Sequence, residues 1–249
     1  MDDLLSLQAI VVSPSSEQRD LLRQAAAGAA LPIEIIEADG AAAACRSLTG
    51  AVDLVLLDAA LASEEIGRVV AAARGAAKPP FTVLLADTAD AAPFPTDARA
   101  AKPSRPANAD LLMESVPRVR LPSRVLIVDD SATMRAIVRK ILVATRFPLE
   151  MLEAEQGSEA IELARQVEFN VVFLDYNMPG FSGLETMAEF RRENRRPIFV
   201  LMTSTATDAI ATRARTQGAE FLKKPFFPAD IEAVLCRFYG LEALNPEPA

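Results

Sequence analysis

Histidine and tryptophan are absent from the 249 residues, and cysteine and tyrosine occur only twice each. Without imidazole, the chain cannot form a Ser-His-Asp or Cys-His catalytic unit, a histidine metal site or a phosphohistidine of its own. A bound metal must therefore have oxygen ligands, which favours Mg²⁺ and leaves Mn²⁺ as the other candidate. Cys45 and Cys236 are isolated in the sequence, and we interpret them as reduced thiols of a cytoplasmic protein.

Long apolar runs and excess positive charge are also lacking. No run approaches the roughly 18–20 apolar residues that cross a bilayer, and the first residues, Met1-Asp2-Asp3, are acidic where a signal peptide is basic. The chain has 34 acidic and 26 basic residues, so its net charge is −8. Proteins that bind nucleic acid usually carry a basic surface. We therefore expect neither a membrane nor a nucleic acid as partner.

From Ser123 onward, short apolar runs alternate five times with segments of helical periodicity. The runs Val125–Val128 and Val171–Leu174 are apolar throughout, as expected of strands that are covered on both faces of a parallel sheet. Five such βα units in about 120 residues are the size of one flavodoxin-like domain. Ser131 is predicted to cap the first helix. The apolar residues of this helix recur at helical spacing, at Met134, Ile137, Val138, Ile141 and Leu142.

The first half resembles a diverged copy of the second. In each half an aspartate ends the middle apolar run and a proline follows 22 positions later: Asp58 and Pro80, then Asp175 and Pro197. Each half also contains a Lys-Pro pair, at 102–103 and at 224–225. We therefore predict an α/β fold with two flavodoxin-like (βα)5 domains in tandem, each a five-stranded parallel sheet flanked by helices.

The predicted limits follow from this repeat and from the prolines between the halves. Residues 1–118 form the first domain, 119–123 a short and fairly stiff linker, and 124–241 the second domain. Residues 242–249, with two prolines and few apolar side chains, are predicted to be a disordered tail.

Charged residues follow three of the predicted strands in the second half. Asp129 and Asp130 end one apolar run, Asp175 ends another, and Lys224 follows a short third run. Because the carboxyl ends of parallel strands meet at one edge of the sheet, we expect these side chains to lie together. Three acids at one place repel each other strongly unless a cation joins them. The pattern predicts a hard-metal site with one acid available for chemistry.

At these residues the second half, roughly 123–241, resembles the receiver domain of bacterial two-component response regulators, and most of all the stand-alone chemotaxis type. The motifs that carry the resemblance occur in order at predicted strand ends: Val128-Asp129-Asp130-Ser131, Leu174-Asp175 with Met178-Pro179-Gly180, Thr203, and Lys224-Pro225-Phe226. The resemblance implies that Asp175 accepts a phosphoryl group from the phosphohistidine of a histidine kinase or a histidine phosphotransfer protein.

The same resemblance implies the metal ligands. The carboxylates of Asp129, Asp130 and Asp175 and the backbone carbonyl of Asn177 would hold Mg²⁺, which offsets the charge of the phosphoryl group. Lys224 would supply a second cation to a phosphoryl oxygen.

The resemblance also implies a switch. The hydroxyl of Thr203 would bond to the new phosphoryl group, and the ring of Phe221, in place of a frequent tyrosine, would then turn inward. Ser204 would give the phosphoryl group access, and Asn177 and Thr205 would tune its hydrolysis by water.

The first half departs from the receiver pattern where the chemistry needs it. Ser13 and Pro14 replace the acid pair, Ala86 replaces the threonine, and only Asp58 and Lys102 remain. One carboxylate is too little for Mg²⁺, which gives up its water reluctantly. The stretch before Lys102 is short and contains prolines, so we expect its fourth helix to be lost or shortened. We predict a pseudo-receiver that is not phosphorylated.

No DNA-binding or enzymatic output segment is apparent, so we expect a regulator, not an enzyme, that switches contacts with an unknown downstream protein. A homodimer is left open. The alternative is a phosphoryl sink or relay intermediate without its own target. A Mg²⁺-dependent phosphohydrolase is disfavoured because Asn177 stands where such enzymes commonly place a second acid. The arginines at 191, 192, 195 and 196 could form a nucleotide patch, but we interpret them as a solvated helix end.

Overall fold

The computed structural model describes residues 6–48, 50–87, 94–193, 195–204 and 208–243. The chain divides into two compact units, Met1–Leu121 together with Cys236–Ala249, and Pro122–Leu235. No helix of the described residues is both long and apolar enough to cross a membrane.

The first unit alternates strands and helices. Its elements are β1 (Leu7–Val12), α1 (Ser16–Gly28), β2 (Ile33–Ala38), α2 (Ala41–Ser47), β3 (Leu54–Asp58), α3 (Ser63–Gly75), β4 (Phe81–Ala86), β5 (Ala98–Ala101), α4 (Pro106–Ser115) and a 3-10 helix (Val116–Arg120).

In the described residues, the second half of the chain repeats this order with one more helix. Its elements are β6 (Ser123–Val128), α5 (Ala132–Ala144), β7 (Leu149–Ala154), α6 (Gly157–Gln166), β8 (Val171–Asp175), α7 (Gly183–Arg192), β9 (Ile198–Thr203), α8 (Asp208–Thr216), β10 (Glu220–Lys223) and α9 (Pro228–Phe238).

The two sheets have the same topology. Their strands run in the orders β2-β1-β3-β4-β5 and β7-β6-β8-β9-β10. Within each sheet, neighbouring strands are parallel. This is the flavodoxin-like order. The second strand lies on one side of the first, and the third, fourth and fifth follow on its other side. The predicted fold class, two five-stranded parallel sheets flanked by helices, is confirmed.

The central strands explain why the sheets form. All five residues of β3 and all five of β8 are buried, as is required of a strand with helices on both faces. Each of these strands ends in an aspartate, Asp58 or Asp175, which is itself buried. Each of these apolar strands therefore places a carboxylate at the edge of its sheet, where it is largely shielded from solvent.

Helix α5 begins as predicted, and its apolar residues Val138 and Leu142 are buried. Ser131 accepts a hydrogen bond from the backbone N–H of Met134, as an N-cap does. Ile137, which has the same helical spacing, is instead 43% exposed. The buried stripe contains Arg135, Val138 and Leu142, three and four positions apart. Ile137 lies beside this stripe. The charged Arg135 is buried within it because its guanidinium donates hydrogen bonds to a backbone carbonyl and to two glutamates.

The predicted boundaries differ from the structure at two places. The 3-10 helix Val116–Arg120 and the first residue of β6 take up part of the predicted linker 119–123. Glu242, placed in the predicted disordered tail, forms an isolated antiparallel bridge with Arg99; residues 244–249 lie outside the described part. Between β4 and β5, residues 87 and 94–97 are not helical, and the rest of the predicted lost helix falls on residues 88–93, which are not described.

Candidate functional site

Three side chains from distant parts of the sequence meet at the carboxyl edge of the second sheet. The Nζ atom of Lys224 lies 2.7 Å from Oδ2 of Asp129 and 2.7 Å from Oδ1 of Asp175. Asp129 follows β6, Asp175 ends β8 and Lys224 follows β10. The side chains of Asp129 and Asp175 are 1% and 8% exposed, and that of Lys224 is 16% exposed. The site is therefore a largely buried cluster of two acids and one base.

The backbone around Asp175 holds its carboxylate in place. Oδ2 of Asp175 accepts the backbone N–H of Asn177 at 3.0 Å. The N–H of Tyr176 donates to the carbonyl of Met202 at 2.8 Å, which ties this turn to β9. Gly183, at the start of α7, packs so closely that an added Cβ would lie 2.6 Å from the carbonyl oxygen of Asp175. A residue without a side chain is required there.

Asp129 is held from both sides of its backbone. Its N–H donates to the carbonyl of Ala154 at 3.3 Å, and its carbonyl accepts a hydrogen bond from Nη1 of Arg135 at 2.8 Å. Its Oδ1 accepts the N–H of Ser131 at 2.9 Å. The other carboxylate oxygen, Oδ2, is left to face Asp175 and Lys224.

The electrostatics of the cluster are those of two acids that share one base. Burial raises the pKa of Asp175; Lys224 lowers it, the charge of Asp129 raises it further, and the net pKa lies above its usual value. Burial alone would lower the pKa of Lys224, but its hydrogen bonds to Asp129 and Asp175 outweigh burial and raise it. Lys224 is therefore charged, and one ammonium opposes two carboxylates when both are ionised.

The donor atoms fit a hard divalent cation in chemistry, although not all predicted ligands have converged. Two buried carboxylates approach one point and carry more negative charge than Lys224 can neutralise. The side chain of Asp130 is exposed beside them, and Asn177 is exposed as well. In the described part of the chain, no group of three acidic, histidine or cysteine side chains is already arranged around a common point. The ligand role of Asp130 and of the Asn177 carbonyl stays a prediction.

The predicted switch residues lie at the neighbouring strands. Thr203 is fully buried at the end of β9, one residue beyond Met202, which pairs with Asp175 across the sheet. Phe221 is partly buried and packs against the core of the second unit, so its ring is not wholly enclosed. Ser204 is exposed. Thr205 lies outside the described residues.

The corresponding place in the first unit is chemically different. Oδ2 of Asp58 accepts the hydroxyl of Ser13 at 2.6 Å, and Oδ1 accepts the N–H of Ala60 at 2.9 Å. Nζ of Lys102 lies 2.9 Å from Oδ1. Asp58 is 1% exposed. One acid and one base are thus balanced, and both oxygens of the acid are already hydrogen-bonded.

Sequence reasoning missed Arg135, which contacts the backbone of Asp129 and is 8% exposed. Helical periodicity treats a charged residue as outward-facing. The available signal was the repeat itself, because an arginine stands six positions after Asp129 and, as Arg19, six positions after Ser13.

Comparison with known sequences gives one family and several relatives. A family profile described as "Response regulator receiver domain" matches residues 125–235. Chemotaxis protein CheY1 of Helicobacter pylori is 34% identical over 109 residues, which cover 42% of this chain and 87% of that protein. Transcriptional regulatory protein PdtaR of Mycobacterium tuberculosis is 34% identical over 134 residues, 52% of this chain and 64% of that protein. For transcriptional regulatory protein ResD of Bacillus subtilis, 29% identical, the match spans 45% of its length.

A solved structure matches nearly the whole chain. It is a probable two-component system response regulator/GGDEF domain protein, with a TM-score of 0.57 and 21% identity over 93% of this chain and 97% of that one. A second structure of a similarly described protein gives a TM-score of 0.57 at 22% identity. At such identities the likeness concerns the fold, and it extends over both sheets.

Proposed function

Since the chain belongs to the response regulators of two-component systems, with two receiver folds in tandem, we propose that Asp175 accepts a phosphoryl group from the phosphohistidine of a partner. The partner is a histidine kinase or a histidine phosphotransfer protein. The observation that carries the proposal is the cluster of Asp129, Asp175 and Lys224, in which both acids lie 2.7 Å from the same Nζ. Among the described residues, Asp58 is paired with one base, Lys102, and accepts the hydroxyl of Ser13 where the second half has Asp129.

The transfer can be written from the residues present. A carboxylate oxygen of Asp175 forms a bond to phosphorus while the P–N bond of the donor breaks, and the electron pair of that bond returns to the imidazole nitrogen. Asp129, Asp130, Asp175 and the Asn177 carbonyl would hold Mg²⁺, which when bound neutralises charge on the carboxylates and the phosphoryl oxygens. Lys224, already charged and directed at Asp175, is placed to pair with a phosphoryl oxygen.

The signal would leave the site through Thr203 and β10. A hydrogen bond from the Thr203 hydroxyl to a phosphoryl group is worth about 1.5–3 kcal/mol, because the acceptor is charged. That is enough to change the ratio of two conformations by about tenfold or more. Phe221, on β10, lines a surface cavity of about 550 Å³ with Leu222, Phe226 and the 68% exposed Phe227. We propose that this face, with Arg213 and Arg215 nearby in sequence, binds the downstream protein.

The first receiver would serve as a contact or regulatory surface and not as a phosphoacceptor. Asp58 is paired with Lys102 and bonded to Ser13, and a serine stands where the second half has the acid Asp129, so the carboxylate lacks that partner for a Mg²⁺ site. On this proposal the chain is not an enzyme toward other substrates, and its isolated free cysteines, Cys45 and Cys236, suit a reducing cytoplasm.

The test is intact-mass measurement after incubation of the full chain with acetyl phosphate and Mg²⁺. We expect one phosphoryl addition in the native chain and in Asp58→Ala, and none in Asp175→Ala. No addition to the native chain, or an unchanged addition to Asp175→Ala, would refute the phosphoacceptor proposal. Two additions to the native chain would refute the inactivity of the first receiver.

A further inference from the structure

Arg135 is a buried cation close to the site but outside the cluster of Asp129, Asp175 and Lys224. Its guanidinium makes three charge-assisted or backbone contacts. Nη1 donates to the carbonyl oxygen of Asp129 at 2.8 Å, Nη2 to Oε1 of Glu155 at 2.9 Å and Nε to Oε2 of Glu153 at 3.3 Å. A planar fork held on three sides has little freedom to rotate.

The contact with Asp129 fixes a particular peptide group. The carbonyl of Asp129 and the N–H of Asp130 belong to one planar unit, so holding the carbonyl holds the orientation of the bond that joins the two predicted acid ligands. The N–H of Asp129 is held from the other side by Ala154. Rotation of this peptide would redirect the side chain of Asp130, which is exposed and has no described role in packing.

The first unit contains the same arrangement without the acids. Nη1 of Arg19 donates to the carbonyl of Ser13 at 2.7 Å, and its Nε lies 3.3 Å from Oε2 of Glu37. Arg19 stands six positions after Ser13, as Arg135 stands six after Asp129, and Glu37 and Glu153 occupy matching places in β2 and β7. The chain thus provides an internal copy in which the arginine can only support the loop.

We propose that Arg135 is a positioning residue for the Mg²⁺ site, which it acts on through the Asp129–Asp130 peptide and without touching the metal or the phosphoryl group. The inference rests on the proposed function, because it assumes that Asp129 and Asp130 ligate the cation. Groups that hydrogen-bond to a metal-binding segment orient its ligands, and their loss typically weakens metal affinity about 10–100-fold. Arg135 makes such a hydrogen bond to the loop that contains Asp129 and Asp130. Arg19 makes the equivalent bond to the carbonyl of Ser13, in a loop that has no acids at the two matching positions.

The experiment compares Arg135→Gln with Arg19→Gln in the full chain. Mg²⁺ affinity is measured by calorimetric titration, and thermal unfolding without Mg²⁺ is measured by circular dichroism. We expect Arg135→Gln to weaken Mg²⁺ binding by about tenfold, and Arg19→Gln to leave it within twofold of the native value. Phosphorylation of Arg135→Gln by acetyl phosphate should need more Mg²⁺ but reach nearly the native rate at saturation.

Arg135→Lys keeps the positive charge on a single donor nitrogen but lacks the planar guanidinium. Its Mg²⁺ affinity should therefore fall between those of the native chain and Arg135→Gln. It also provides the measurement if Arg135→Gln fails to fold. Native Mg²⁺ affinity in either folded Arg135 variant, or an equal loss in Arg19→Gln, would overturn the inference. Failure of the native chain itself to bind Mg²⁺ or to take up phosphoryl would instead remove the proposed function.

Discussion

Replacing Lys224 by methionine should destabilise the second unit in a way that Mg²⁺ reverses. The substitution keeps most of the side-chain volume but removes the ammonium that lies 2.7 Å from both Asp129 and Asp175. Removal of one partner from a buried ion pair typically costs about 3–5 kcal/mol. Since Lys224 is itself 16% exposed and protonation of Asp175 can relieve the repulsion, we expect the lower end, about 3 kcal/mol at neutral pH.

The pH dependence follows from the direction in which the pKa of Asp175 is displaced. Burial and the charge of Asp129 already raise this pKa, and loss of the lowering effect of Lys224 raises it further. A carboxyl group whose pKa is higher in the folded than in the unfolded chain favours folding in acid, and its contribution is lost as the pH rises through the folded value. The stability of Lys224→Met should therefore recover on acidification below neutral pH.

Mg²⁺ provides the second readout. A cation bound only by the folded chain stabilises it by about 2.7 kcal/mol at one hundred times its dissociation constant. In Lys224→Met it no longer competes with an ammonium for the same two oxygens. The variant should therefore gain more stability from Mg²⁺ than the native chain does. Urea unfolding followed by circular dichroism, with and without saturating Mg²⁺, measures both effects.

The matched control is Lys102→Met in the first unit. Asp58 keeps its hydrogen bonds from Ser13 and Ala60 when Lys102 is removed, so the loss should be smaller, about 1–2 kcal/mol. Mg²⁺ should not restore it, because Ser13 stands beside Asp58 where the second half has the acid Asp129. Two results would show that Asp129 and Asp175 do not repel each other as argued. One is a Lys224→Met chain as stable as the native one, and the other is an equal gain in stability from Mg²⁺ in Lys224→Met and Lys102→Met.

Two further outcomes test the packing and the switch. Gly183→Ala should slow phosphorylation at Asp175 and destabilise the chain, because its Cβ would lie 2.6 Å from the Asp175 carbonyl oxygen. As a control, the Cβ of Gly67→Ala on α3 meets nothing within 4 Å, and this variant should be more stable than the native chain by up to about 1 kcal/mol. Similar melting temperatures for the two variants would contradict the close contact at Gly183. Thr203→Ala should still gain one phosphoryl group by intact mass but lose any binding of a non-kinase partner that depends on phosphorylation; retained switching would exclude the Thr203 hydroxyl as the reporter.

The parallel sheets could be predicted from the sequence, because a continuous apolar run such as β8 fits a strand with helices on both faces. The convergence of Asp129, Asp175 and Lys224 follows from the parallel arrangement, since each stands at the carboxyl end of a strand. No long-range information beyond the topology was needed for these residues.

Other features depend on contacts that periodicity does not report. Arg135 is buried because two glutamates and a carbonyl surround its guanidinium, and those partners are 6 to 20 positions away in sequence. Ile137 is exposed because the apolar stripe of α5 is centred one position away from it. The bridge between Arg99 and Glu242 joins segments far apart in the chain, so the composition of the tail could not reveal it.

The two halves differ in the charge balance at the carboxyl edge of their sheets. Both have the same strand order, a buried aspartate at the end of the third strand, a lysine after the fifth and an arginine that holds the loop after the first. In the first half a serine hydroxyl donates to the aspartate and one lysine neutralises it, so no charge remains for a cation to offset. In the second half a carboxylate occupies the place of that hydroxyl, and one lysine faces two acids. On the proposed function, this exchange of a donor for a charged acceptor changes a satisfied structural ion pair into a cluster with excess negative charge, which a bound cation would offset.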